Sequence, residues 1–155
     1  MNIAINRPDP GDAQRRAANP VSSVWVSASA GTGKTKVLTD RVLSLLLSGT
    51  AAQKILCLTF TRAAAAEMAN RVNRSLAEWA VVKDDKLRKS ITGLTGAPPD
   101  DATMARARML FAEVLETPGG LKIQTIHAFC ESLLGRFPLE ARLEPHFQLM
   151  DQRTA

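Results

Sequence analysis

The segment 28–35 reads ASAGTGKT and contains the residue types that hold a phosphate group. Gly31 and Gly33 allow the close approach that lets backbone amides surround phosphate oxygens. Lys34 would add a positive charge at the β- and γ-phosphates, and the Thr35 hydroxyl would bind Mg²⁺. The segment fits the pattern GxxxxGK[ST], except that alanine replaces the first glycine. The sequence predicts a phosphate and Mg²⁺ site formed by Ala28, Ser29, Ala30, Gly31, Thr32, Gly33, Lys34 and Thr35.

A strand before this loop and a helix after it would position these residues. Ser22–Ala28 alternates small polar and apolar residues, which is typical of a strand. Apolar residues then recur at helical spacing from about Lys34 until Ser48-Gly49. The positive end of this helix would face the same phosphate. The simpler alternative is a glycine turn before an amphipathic helix.

Two further strands, each followed by a helix, are predicted. Lys54–Phe60 is an apolar run typical of a buried parallel strand, and a helix begins near Thr61. Leu121–Ile126 is a third strand, followed by a helix over His127–Phe137. Alternating strands and helices predict an α/β fold with a parallel sheet and right-handed crossovers.

The remaining segments divide the chain. Residues 1–21 are predicted to form an N-terminal arm with a short helix over Asp12–Ala18. Residues 22–155 would form the main domain. Within it, residues of about 80–120 are predicted to be an insertion that projects from the sheet and includes a helix over Met104–Glu116.

Composition excludes several classes of protein. The 155 residues are 45% hydrophobic and 23% charged, typical of a globular chain, and the net charge of +5 favours polyanions. We expect a cytoplasmic protein, because no signal peptide and no membrane-spanning apolar run is recognisable. Cys57 and Cys130 are predicted to be reduced core residues, with no zinc site.

Residues that could contact a polyanion follow the second and third predicted strands. Phe60, Thr61 and Arg62 come at the first of these strand ends, and Thr125 and His127 at the second. An exposed Phe60 could stack on a nucleic-acid base, and Thr61 with the helix amides could hold a phosphate. The alternatives are core packing for Phe60 and a structural role for His127.

Three segments together resemble the UvrD/Rep superfamily 1 helicases. The phosphate loop, with alanine at its first position, is similar to the AxxGxGK[ST] variant of that family. Residues 58–68 (LTFTRAAAAEM) resemble its motif Ia, although arginine and alanine replace the usual asparagine and lysine at positions 62 and 63. Residues 124–130 (QTIHAFC) resemble its TxHxF segment. The resemblance implies a partial RecA-like domain, DNA contacts at Phe60, Thr61, Arg62, Thr125 and His127, and ATP with Mg²⁺ as cofactors.

Two residues outside these segments also have counterparts in that family. Gln14 resembles the Q-motif glutamine that reads adenine, since an amide can both donate to and accept from the adenine edge. Arg41 matches a basic position near the nucleotide. Read from the residues alone, Gln14 would be a solvated helix residue and Arg41 a surface arginine.

Within the superfamily, the wording of residues 118–141 and 146–155 is most similar to the AddA group, the helicase–nuclease components of double-strand-break repair complexes. Members of that group are far longer. The resemblance implies movement 3′ to 5′ on single-stranded DNA, with an AddB-type partner protein. It also implies that this chain is the amino-terminal part of a longer protein, whose remainder is missing.

Hydrolysis in this family needs a carboxylate pair after an apolar strand and arginines from a second domain. Asp84-Asp85 and Asp100-Asp101 lie in polar sequence instead. The chain alone is therefore predicted to be catalytically incomplete. Two other functions are considered: a phosphotransferase with Lys83–Lys89 in a substrate lid, and a DNA-binding module without catalysis.

Overall fold

The computed structural model describes residues 10–27, 29, 31, 33–144 and 147 of the chain. Two short strands and six α-helices are found in this part. A 3-10 turn at Ala52–Lys54 precedes the first strand. In chain order the elements are α1 (Pro10–Ala18), α2 (Lys34–Leu47), β1 (Leu56–Thr59), α3 (Arg62–Val81), α4 (Asp84–Thr95), α5 (Asp101–Glu116), β2 (Lys122–Thr125) and α6 (Ile126–Arg136).

The two strands pair in parallel. Their register runs from Leu56 opposite Lys122 to Thr59 opposite Thr125. The chain passes through α3, α4 and α5 between them, which provides the long crossover that parallel strands need. The predicted parallel pairing is confirmed. Its consequence is that both strands end at the same edge of the sheet, immediately before α3 and α6.

The core lies among helices and not between layers around a large sheet. Helices α3 and α5 pack most extensively, and α2 lies against both. The side chains with the least exposure come from all four central helices, because each presents an apolar stripe at helical spacing. They are Leu46, Val72, Leu76, Leu87, Ile91, Ala107 and Leu110.

Local signals set most helix ends where the sequence predicts them. Helix α2 ends before Ser48-Gly49, and Gly49 takes the left-handed φ of 95° that suits a glycine after a helix. Helix α3 begins after Thr61, whose hydroxyl accepts from the Ala64 amide. The predicted helix in the arm is confirmed as α1.

The strand predicted over Ser22–Ala28 is not found. Residues 22–27 are irregular, and Ala28 lies outside the described residues. Trp25 is 94% exposed, and Val24 and Val26 are also exposed. A strand needs a partner for its backbone N–H and C=O groups. In the described part of the chain, β1 and β2 pair only with each other, so this segment has none.

Burial of the second predicted strand is also wrong in part. Leu56 and Leu58 on β1 are 43% and 42% exposed, while Cys57 and Thr59 are half-buried. Only one face of the sheet is covered by the helices. Helix α6 contributes no buried residue, so its predicted apolar side remains open.

The segment predicted to project from the sheet packs into the core instead. Its first half forms α4, whose Leu87 and Ile91 are fully buried. Arg108 bonds Asp84 at 2.7 Å, and Arg88 bonds Asp101 at 2.9 Å, so charged residues tie α4 to α5. The charge of this segment disguised the helix, because only two of its residues face the core.

Asp100 illustrates how the acidic residues of this region serve the fold. Its carboxylate caps α5 by accepting from the Thr103 amide at 2.8 Å. Hydrogen bonds from the side chain and the backbone amide of Thr103 lower the pKa of Asp100. Stabilisation by this cap is therefore present above the ordinary aspartate pKa and lost as pH falls through the lowered one.

The two cysteines differ in environment. Both are free thiols. Cys57 is half-buried, and burial raises the pKa of its thiol. Cys130 is exposed, so its predicted place in the core is wrong. None of the helices in the described ranges combines the length and apolarity of a bilayer crossing.

Candidate functional site

The loop before α2 has the backbone conformation that its glycines predict. Gly31 and Gly33 have φ values of 80° and 89°, in the left-handed region that side chains disfavour. A Cβ added to Gly31 would meet no atom within 4 Å, so the loop is open on that side. Helix α2 begins at Lys34, directly after Gly33, so its free amides point towards the loop.

Lys34 reaches across this loop. Its Nζ donates to the Ser29 carbonyl at 2.7 Å, which keeps the ammonium group beside the loop backbone. Thr35 is half-buried in the first turn of α2, and its carbonyl accepts from the Thr39 hydroxyl at 2.9 Å. An exposed ammonium group, open glycines and a helix amino terminus form a donor set that fits a phosphate group. Ala28, Ala30 and Thr32 lie outside the described residues.

The structure brings Gln14 to this loop. Gln14 is half-buried on α1, and its Nε2 lies 3.3 Å from the position that a Cβ on Gly33 would occupy. An alanine at Gly33 would therefore combine a disfavoured φ with a tight contact. Sequence separation gave no indication of this contact, which depends on α1 lying along α2.

Arg41 lies on α2 and faces the end of α1. Its guanidinium donates to three backbone carbonyls: Ala17 at 3.1 Å, Asn19 at 2.6 Å and Ser22 at 2.7 Å. The interpretation of Arg41 as a surface arginine is therefore wrong. These three carbonyls carry no sequence signal, because every residue offers one.

A cavity of about 450 Å³ runs between α2 and the irregular segment before the loop. Lys34 and Arg41 line it, together with the apolar side chains of Val37 and Leu38. Its size is within the usual range for small-molecule sites, about 300–1,000 Å³. The residues that line it are Ala17, Ser23, Val24, Val26, Lys34, Val37, Leu38 and Arg41.

The second group of predicted residues comes together at one edge of the sheet. Thr59 and Thr125 are opposite each other in the parallel register. Phe60, Thr61 and Arg62 directly follow the first strand, and His127 lies at the start of α6 after the second. Two helix amino termini therefore lie side by side at this edge. Together their free amides and partial positive charges favour an anion.

Phe60 is 85% exposed at this edge. Core packing of Phe60, one of the two interpretations of its sequence position, is thus excluded for the described chain. Arg62 and His127 are also exposed. An aromatic ring, a guanidinium group and an imidazole therefore reach solvent from the ends of two adjacent strands.

Thr61 and Thr125 have the same local role. Each is the residue before a helix, and each hydroxyl accepts an amide three residues later at 3.1 Å, from Ala64 and Ala128 respectively. Thr59 supports the first of these turns by donating its hydroxyl to the Thr61 carbonyl at 2.9 Å. The contribution of Thr59 was missed in the sequence, although a threonine two residues before a helix cap is a usable signal.

We expect Thr61→Ala and Thr125→Ala each to lower the free energy of unfolding by about 1 kcal/mol, because each loses a helix cap. Denaturant unfolding of the protein measures this. Thr61→Ser and Thr125→Ser are the matched controls, since serine caps as well as threonine. An alanine variant as stable as its serine counterpart would show that the hydroxyl does not stabilise the helix.

Metal ligands are sparse in the described part of the chain. There, no three His, Cys, Asp or Glu side chains come together as a metal site. His146 lies outside the described residues. Asp84 and Asp101 are paired with arginines, and Asp100 is a helix cap. These acids therefore serve the fold, in agreement with their polar sequence surroundings.

Comparison with known proteins gives one family. The model of the UvrD/REP helicase N-terminal domain matches residues 11–155. Curated relatives that are similar over most of the chain are named as the A-type component of an ATP-dependent helicase/nuclease. The protein of Limosilactobacillus reuteri is 34% identical over 146 residues, which cover 94% of this chain and 9% of the relative.

Two other relatives with the same name agree. That of Levilactobacillus brevis is 35% identical over 134 residues, 86% of this chain and 9% of the relative. That of Lactobacillus gasseri is 32% identical over 131 residues, 84% of this chain and 9% of the relative. The chain thus spans about a tenth of the length of the curated relatives it matches. With the family model matched over nearly its whole length, this chain belongs to the UvrD/REP helicase N-terminal domain family.

Proposed function

We propose that this chain carries the ATP-phosphate loop and part of the single-stranded DNA track of an ATP-dependent DNA helicase. The observation that supports it most is the loop at Gly31–Gly33, with two left-handed glycines, an α-helix that begins at once and Lys34 beside the loop backbone. Family membership supports the same function.

Ala28–Thr35 is the proposed phosphate loop. Its backbone amides and Lys34 would bind the phosphates of ATP, which supplies the free energy for movement when it is bound. The hydroxyl of Thr35 would hold Mg²⁺, and Gln14 and Arg41 belong to the same site through α1 and α2. The proposed domain division is an arm over residues 1–21 and an ATP-binding domain over 22–155, with a helical insertion at about 80–120.

The DNA track is proposed at the edge of the sheet where β1 and β2 end. Thr61 and Thr125, with the amides at the starts of α3 and α6, would hold phosphates of the DNA backbone, and Arg62 and His127 would add donors. Phe60 would stack on a base. The parallel register supports this, because it brings both segments to one edge.

By resemblance to its relatives, the whole protein would move 3′ to 5′, contain a nuclease, and act in double-strand-break repair with an AddB-type partner protein. DNA-stimulated ATP hydrolysis by the whole protein tests the motor. Unwinding of duplexes with a 3′ or a 5′ single-stranded tail tests the direction. Hydrolysis that does not respond to DNA would contradict the helicase proposal.

A phosphotransferase with a lid at Lys83–Lys89 is less well supported. This segment lies in α4, which is anchored by the buried Leu87 and by the pair of Asp84 with Arg108. A lid must move away from the domain, and such packing opposes that movement.

We expect the 155-residue chain alone to hydrolyse ATP at no more than the background rate, with or without DNA. It offers a phosphate loop, but its paired acids are engaged in caps and salt bridges instead of a Mg²⁺ site. Release of phosphate by the purified chain measures this, with the whole protein as positive control. Turnover stimulated by DNA in the short chain would show that it is catalytically complete.

A further inference from the structure

We propose that Arg41 is a positioning residue that ties the end of α1 to α2 and thereby holds Gln14 against the phosphate loop. This inference rests on the proposed function, because the loop is taken to bind ATP. It differs from a direct contact between Arg41 and the nucleotide, since the guanidinium acts through the chain that carries Gln14.

The three acceptors of Arg41 define a clasp. Ala17 belongs to the last turn of α1, Asn19 follows the helix, and Ser22 lies after the turn at Pro20. Carbonyls at the end of a helix have no partner within the helix and carry partial negative charge. A guanidinium group satisfies them and complements the helix dipole. Arg41 thus fixes both the end of α1 and the course of the chain that leads to the loop.

The geometry of these bonds requires an arginine. Both terminal nitrogens are engaged, NH1 by the Ala17 and Asn19 carbonyls and NH2 by that of Ser22. Guanidinium presents donors from separate nitrogens in a rigid plane, whereas lysine presents all its donors from one atom. Lysine at this position would keep the charge and lose the span between the carbonyls.

The clasp is close to Gln14 along the chain. Gln14 precedes Ala17 by less than one helical turn, so a fixed position of Ala17 also fixes that of Gln14. Its Nε2 lies 3.3 Å from the Cβ position of Gly33, the residue just before α2. Arg41 itself is two turns further along α2. Arm, loop and helix are therefore linked in one closed circuit of contacts.

A double-mutant cycle on the whole protein tests the clasp. The affinity for a non-hydrolysable ATP analogue is measured for the wild type, Arg41→Ala, Gln14→Ala and the double variant. We expect each single variant to bind roughly tenfold more weakly, about 1.4 kcal/mol. The double variant should be no weaker than either, because Arg41 acts through Gln14. Losses that add would indicate a direct nucleotide contact and overturn the proposal.

Two controls separate charge from geometry. Arg41→Lys should bind as weakly as Arg41→Ala, and full affinity in the lysine variant would contradict the clasp. Arg16→Ala removes an exposed arginine from the same helix as Gln14 and should bind like the wild type. Loss in that variant equal to the loss at Arg41 would point to net charge alone and overturn the clasp.

Amide hydrogen exchange tests the clasp without any nucleotide. In Arg41→Ala, we expect faster exchange in residues 10–18 and unchanged exchange in α3 and α5, which excludes general unfolding. Unchanged exchange in residues 10–18 would overturn the clasp. If the wild type fails to bind the ATP analogue while exchange in residues 10–18 responds, the proposed function fails and the clasp remains as a structural device.

Discussion

Lys34→Ala in the whole protein is expected to abolish ATP-driven unwinding and to leave the melting temperature nearly unchanged. Lys34 is exposed, and its Nζ contacts the Ser29 carbonyl of the loop, so its removal opens no cavity in the core. The ammonium group would instead supply the charge that binds the phosphates and stabilises the transition state. Unwinding of a tailed duplex and thermal melting are measured on the same preparation.

Lys36→Ala is the matched control for this experiment. Lys36 lies two residues away on α2, carries the same charge and pairs with Asp40 at 2.5 Å on the surface. Surface pairs of this kind contribute about 0–1 kcal/mol, so stability and unwinding should both remain close to those of the wild type. Unwinding by Lys34→Ala at the rate of Lys36→Ala would refute the phosphate loop at 28–35.

Phe60→Ala should weaken the binding of single-stranded DNA by about 5- to 150-fold, because stacking on an aromatic contributes about 1–3 kcal/mol per base. ATP affinity should not change. The side chain is 85% exposed, so the stability loss of about 3–5 kcal/mol typical of a buried phenylalanine is not expected. DNA affinity, ATP affinity and melting temperature together measure the three effects.

Two variants sharpen the Phe60 experiment. Phe60→Trp keeps an aromatic face and should retain DNA binding. Leu115→Ala truncates an apolar side chain that is 66% exposed on α5, away from the strand ends, and should bind DNA like the wild type. Equal losses of DNA and ATP affinity in Phe60→Ala, with a lowered melting temperature, would assign Phe60 to the fold and not to DNA.

The order of the elements was readable from the sequence. Helices α1, α2, α3, α5 and α6 and strands β1 and β2 lie close to their predicted places, since caps, glycines and helical spacing are local signals. The cap at Thr61 and the left-handed Gly33 are examples. Helix α4 was missed, because a charged helix with few core residues resembles an exposed loop in sequence.

The candidate site divides in the same way. Residue types at 28–35 and at the two strand ends indicated a phosphate loop and a DNA track, because those chemistries need particular side chains. Tertiary structure alone decided that Thr59 and Thr125 lie opposite each other, which brings the two strand ends to one edge. It also decided that Arg41 faces three carbonyls and that Gln14 lies against Gly33.

Sequence by itself thus determined which segments form helices and strands and which residues can bind phosphate. Tertiary structure decided what each segment packs against, including the open face of β1 and the irregular segment 22–27. The physical reason is range. Helix spacing, caps and glycine conformations act between residues a few positions apart, whereas burial, strand pairing and backbone acceptors depend on neighbours that are distant in the chain.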